Sequence, residues 1–222
     1  MLTFQNLYDW QVLVGHFKQK KILELNASLP WDYEKAKAKL AFQGGQEFHA
    51  EVLGIEHKED KRWIWASSVK ESGIPEVSLN SVERIQRVGH INDIPQLVDN
   101  HVSLNEVSAL DLALIGTGYT DAVGYFALES PGVGFAWILL FDEAKKPISF
   151  SALEVSTFVT EALQSFEISD HRFSINTLLE FLSGEEVDEE DEMTLTDSSG
   201  HAITFQFDNA KRLSKINVTA GC

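Results

Sequence analysis

The sequence predicts an α+β fold: antiparallel sheet meanders packed with helices, and a three-strand meander at the C-terminus. Three observations carry this expectation. Short runs that alternate apolar and polar residues, or are apolar throughout, are separated by Gly, Asn, Asp and Pro turn signals. Other stretches place apolar residues at helical spacing behind Ser/Asn-x-x-Glu openings, the signature of a capping box. The 222 residues are 44% hydrophobic and 23% charged, ordinary values for a chain long enough to bury its own core.

Taken in order, residues 3–18 open with a helix, because Thr3 stands at the cap and Phe4, Leu7 and Tyr8 share a face. KILELN (21–26) either continues that helix or forms a short strand. AKLAF (38–42) and EFHAEVLGIEH (47–57) flank Gly44-Gly45 as a hairpin. The polar HKEDKR turns the chain, and WIWAS adds a third strand. Asn80–Glu83 resembles a capping box for a helix that Gly89 can end. Ser103–Glu106 is a better box, opening a helix through Val107, Leu110 and Leu114 to about Gly116 and Gly118. AVGYFALE (122–129) and VGFAWILLF (133–141) flank the turn Ser130-Pro131-Gly132. Both are apolar on both faces, which places them centrally in a sheet covered by helices. After Pro147, Ser151–Glu154 opens a boxed helix to about Ser165, and another runs from about 174 to 182 and stops at Gly184. MTLTD, HAITFQFD and RLSKINV then alternate as three half-buried strands, with turns at Asp197–Gly200 and Asp208-Asn209. Their apolar face, Ile203, Phe205 and Phe207, needs a cover. Pro147 thus divides the chain into a main α+β domain (1–147) and a docked second part (148–222) of helical pair, acidic linker and meander.

Charge is unevenly spread. The formal net charge is −16. Residues 1–147 carry 14 basic and 20 acidic side chains, net −6, and residues 148–222 carry 4 and 14, net −10. Such a surface repels phosphate backbones, which argues against nucleic acid and suits solubility or a basic partner. The run EEVDEEDE holds Glu185, Glu186, Asp188, Glu189, Glu190, Asp191 and Glu192. It reads as a solvated linker or as an electrostatic docking segment. The single cysteine, Cys222, leaves no disulfide within the chain, and the N-terminus lacks a signal-peptide pattern, so a cytoplasmic setting is expected. No apolar stretch reaches membrane-span length, and no membrane partner is expected.

Few motifs carry chemistry. Trp63 and Trp65 fall on one side of a strand, as core or as the wall of a pocket. Gly116-Thr-Gly118-Tyr119-Thr-Asp121 lacks the third glycine of a dinucleotide fingerprint. It also follows a helix where a strand is needed, so a helix cap and turn explain its glycines. Trp63, Trp65, Tyr119 and Asp121 are the candidate pocket residues. The seven histidines include no pair at metal-ligand spacing, so no metal and no cofactor are expected. Glu47, His49 and Glu51 come closest to an acid–base constellation, and read as the solvated outer face of the hairpin. There is no nucleophile elbow, and no residue is assigned a catalytic role.

Trp31-Asp32-Tyr33, Leu40-x-Phe42, Val52-Leu53-Gly54, Trp63-Ile64-Trp65-Ala66 and TGYTDAVGYFALESPGVGFAWIL follow one another in order. Over about 31–141 the chain resembles an uncharacterised bacterial domain family with a Trp-x-Trp strand. Where that family often continues its strand with a third aromatic and an asparagine, Ser67 and Ser68 stand here. The resemblance implies a fold and brings no activity with it. The leading functional expectation is a non-enzymatic binding or interaction protein, for instance an acidic inhibitor or immunity-type protein masking a basic partner. The alternatives are a small-molecule binder or enzyme with a pocket near the Trp-x-Trp strand, and a structural component of an assembly.

Overall fold

A computed structural model describes residues 1–26, 29–69, 74–130, 132–144, 148–185, 187 and 191–221. Pro131, Pro147, Cys222 and four acids of the run, Glu186, Asp188, Glu189 and Glu190, lie outside the described residues. Among the described residues the helices are Phe4–Asn26 (α1), Asn80–Asn92 (α2), Pro95–Val98 (α3), Ala109–Tyr119 (α4), Ala152–Ser165 (α5) and His171–Ser183 (α6). The strands are Trp31–Glu34 (β1), Lys39–Phe42 (β2), Glu47–His57 (β3), Arg62–Trp65 (β4), His101–Ser103 (β5), Gly124–Ser130 (β6), Gly134–Phe141 (β7), Glu192–Thr196 (β8), Ala202–Phe207 (β9) and Leu213–Thr219 (β10). Every strand pair is antiparallel, and the fold is α+β.

The long strand β3 organises the larger sheet. One edge pairs with β7 from His49↔Phe141 to His57↔Gly134. The other edge is shared: its start pairs with β2 and its end with β4. Two hairpins, β1–β2 and β4–β5, therefore branch side by side from one strand. A bulge between Val52 and Gly54 bends it. β7 is central, whereas among the described residues β6 pairs with β7 alone and forms an edge, contrary to the expectation that both are central. Each strand's period of two splits the apolar residues. Leu53 and Leu139 face the helices, while Phe48, Ala50, Val52, Ile138 and Leu140 form a second core on the other side. The sheet curls around that second core. Trp31 on β1 and Phe42 on β2 meet Phe126 on β6, across the sheet, at ring distances of 5.9 and 5.7 Å.

Helix α1 runs well beyond residue 18, with KILELN continuing it. The Thr3 hydroxyl accepts from Asn6 N at 3.1 Å, the cap the sequence suggests. Its middle is buried on several sides because α4, α5 and α6 all pack against it. α4 lies close enough that a Cβ on Gly15 would overlap the Leu114 carbonyl, and one on Gly118 would sit 2.6 Å from Gln11 O. Gly116 and Gly118 thus lie inside a helix as points of close packing, which corrects their reading as a cap and turn.

Two helix starts also differ from expectation. α4 is opened by a box between Ser108 and Asp111, because His101–Ser103 is occupied as a strand beside β4. α2 takes its cap from afar: the buried Glu51 carboxylate accepts Ser81 N at 2.6 Å. The helix passes Gly89, which packs against Leu97 and Val98, and ends at Asp93 in the left-handed region. Ser151 caps α5, Asp170 caps α6, and Gly184 ends α6 in the left-handed conformation.

The C-terminal meander forms as expected, in the order β10–β9–β8. Ile203, Phe205 and Phe207 find their cover in the main core, which runs without interruption from Leu13 and Phe17 to Phe158, Leu178 and Phe205. Phe17 meets Phe158 edge-on at 5.0 Å. The parts on either side of Pro147 share this one core.

Candidate functional site

The groove lies where the curled sheet opens towards the second half of α1. Two hollows of about 440 Å³ each adjoin there and share Lys18, Val123, Asp142 and Ile148 as lining. One extends over Ile22, Leu25 and Phe48, and the other over Asp121 and Phe181. The groove is built from the C-terminal half of α1, the start of β3, the end of β7, the chain after α4 and the end of α6. Its floor is apolar because Phe48 and Ile22 belong to the second core.

Lys18 is the charged group at its centre. It stands four residues from Val14 and four from Ile22, both buried, so helical geometry carries it inward. It is 6% exposed. Its Nζ donates to Thr117 O and Thr120 O, both at 2.9 Å. These carbonyls end α4, where the helix leaves acceptors unpaired and the dipole favours a cation. The Phe181 ring lies 5.1 Å away. Burial depresses the ammonium's pKa from 10.5 to about 8, against the opposing pull of Asp121. Lys21, one turn further, is paired with Glu154 and, at 3.8 Å, with Glu24.

A third hollow, of about 490 Å³, lies across Asp142 and is polar, lined by Lys37, Lys39, Glu47, His49 and Glu143. Here the solvated-face reading of Glu47, His49 and Glu51 holds for the exposed Glu47 and is corrected for Glu51. Glu47 pairs with Lys39, but Glu51 is buried as the α2 cap, with His49 Nε2 3.6 Å from it.

The other sequence candidates fall in different places. Trp63 and Trp65 are fully buried, their rings edge to face at 5.5 Å, and they belong to the core rather than to a pocket wall. Trp63 lies flat against Gly54, where a Cβ would overlap its ring. Trp65 Nε1 donates to Gln96 O at 3.3 Å. An open hollow beyond their strand is lined by Ser67, Ser68, Gln86 and Asn100, not by the indoles. Tyr119 packs at the edge of the core, at the end of α4. Asp121 alone of the four lines the groove. In the acidic run, Glu185 is exposed, and the far end is tied down. Asp191 pairs with Arg172 at 3.2 Å, and Glu192 accepts from Gln206 Nε2 at 2.7 Å. Between them, Val187 is half-buried against the core. Among the described residues, no group of three or more His, Cys, Asp or Glu is placed to hold a metal ion, and no helix is long and apolar enough to cross a membrane.

An α+β domain with a charged, apolar-floored groove defines no activity by itself, and comparison with known proteins agrees. The family of unknown function DUF6882 matches residues 7–143, more than half of the chain, and the chain belongs to it. The match reaches back from the resembling stretch to take in α1 and Lys18. No curated protein and no solved structure matches the chain.

Proposed function

We propose that the protein is a non-enzymatic binding protein that holds a small molecule in the groove around Lys18. The observation that supports this most is a buried ammonium at the junction of two hollows with an apolar floor. Ligand sites combine such lining with a few fixed polar groups, and fall in this size range. Lys18 is tied to main-chain carbonyls and Lys21 to carboxylates, which suits both to anchoring charge. A cytoplasmic setting belongs to the same proposal. The test is a screen of small acids, amines, alcohols and sugars by heteronuclear NMR. Binders are expected to shift the Ile22, Val123 and Ile148 methyl signals. Binders that shift only resonances elsewhere, or none at all, would overturn the reading.

A second reading, docking of a basic protein, draws on the net −10 of residues 148–222. The last two acids of the run, Asp191 and Glu192, are held by Arg172 and by pairing with β9. Complexes of this kind are steered electrostatically and weaken with salt. Capture of a basic protein from lysate at low salt, lost at high salt and lost when the acids of 185–192 become Ser or Asn, is the expected result. Capture that survives both changes would count against it.

A further inference from the structure

We infer that the groove takes a small amphiphilic monocarboxylate, its carboxylate paired with Lys18 Nζ and its apolar body lying over Ile22, Phe48 and Val123. The inference rests on the groove being the binding site and names the class of ligand it would hold. An ammonium has three N–H donors. Two go to Thr117 O and Thr120 O, both uncharged. Among the described residues no carboxylate lies within 4.0 Å of Nζ, so the charge is buried without an ion-pair partner. A charge in that position needs a counter-ion and one further acceptor. Both hollows that Lys18 lines can supply them. The depressed pKa has the same cause, a desolvation that the more distant Asp121 offsets only in part.

The surroundings narrow the ligand's chemistry. Lys21 is engaged by Glu154 and Glu24, which leaves Lys18 to anchor the ligand's charge. Glu24, Asp121 and Asp142 also line the groove and repel an anion in proportion to its charge, so a phosphate monoester dianion fits less well than a single carboxylate. The floor between α1 and the sheet is aliphatic and aromatic, which suits an alkyl or aryl body and not a sugar.

The experiment compares decanoate, decan-1-ol and decyltrimethylammonium by titration calorimetry on the full chain, below their micelle concentrations. Decanoate is expected to bind at one per chain, about ten- to a hundredfold tighter than decan-1-ol, the range of a hydrogen bond to a charged group. Lys18→Met should remove that preference while keeping binding of the alcohol. Equal affinities, or tighter binding of the ammonium, would overturn the carboxylate and leave the binding groove standing. Failure of all three to bind would overturn both. Should Lys18→Met not fold, the wild type still decides. Its preference for decanoate must come with ligand-to-methyl contacts at Ile22 and Val123, and contacts only at another surface overturn the inference.

Discussion

At Gly15 and Gly118 the backbones of α1 and α4 come together with only hydrogens between them. A methyl group at residue 15 would strike the Leu114 carbonyl, which belongs to a helix and cannot turn aside. Alanine in an exposed helix position gains about 1 kcal/mol over glycine. Here overpacking should outweigh that gain, and Gly15→Ala should lose about 3 kcal/mol in urea unfolding. An unchanged or raised midpoint would show that the helices part easily. Lys18 lies one turn along the same helix and owes its position to the same contact. The sequence carried a signal for it, a lysine midway between Val14 and Ile22 on an otherwise apolar stripe. Whether such a lysine reaches solvent depends on what covers the stripe, and that is decided by α4 and α6, far away in the chain. The tryptophans are the opposite case. Their alternation on a strand fits burial without reference to any partner.

Elements here are joined by carboxylates at helix starts that come from elsewhere in the chain. Glu51 of β3 accepts Ser81 N at the start of α2. Asp9 of α1 is buried and accepts Ser169 N and Asp170 N, both at 3.1 Å, just before α6. Asp197, in the turn between β8 and β9, accepts Ala152 N at 3.0 Å at the start of α5, and also Ser199 N and His201 N. The Ala152 bond contributes most to holding the Asp197 carboxyl below the usual carboxylate range. In the unfolded chain it titrates at the ordinary value of about 3.9. Above that pH both states are ionised and the stabilisation is complete. As pH falls through it and on through the lowered folded value, the unfolded chain takes the proton first and the stabilisation is lost. Asp197→Asn should therefore be less stable than wild type at neutral pH, and the gap in urea midpoint should narrow as pH falls below about 3.9. A gap that stays constant with pH would mean the carboxylate's charge contributes nothing. The Ser151 cap on Glu154 N was legible because both partners lie within one turn, although the Glu154 carboxylate pairs with Lys21 rather than closing the expected box. The Glu51 cap was not: a charged residue on a strand looks solvated until the helix it serves is folded against it. For the same reason Ser103–Glu106 misled, since the pairing of Val102 with Trp63 outweighs a local capping pattern.

The whole molecule is organised around α1, which serves both sides of Pro147. On one side it packs against α4, and Gln19 accepts Tyr125 N at 2.8 Å at the edge strand β6. On the other side it meets Phe158 through Phe17 and His16, and α6 through Asp9, whose main-chain carbonyl accepts from the Ser174 hydroxyl at 2.6 Å. The stretch matched by the family ends at residue 143, but the core does not. Cutting after residue 147 would take Phe158 from Phe17 and His16, Phe173 from Trp10, and the Ser169 and Asp170 donors from the Asp9 carboxylate. The apolar packing lost along this helix face is large beside a domain's usual stability margin. Residues 1–147 alone should therefore lack a cooperative thermal transition and bind anilinonaphthalene sulfonate, the behaviour of a collapsed but unpacked chain. A sharp transition with dispersed NMR signals would instead show two domains that fold separately, as the break at Pro147 suggests from sequence. That outcome would also reassign the groove, because Phe181 and Gly184 contribute part of its wall from beyond the cut.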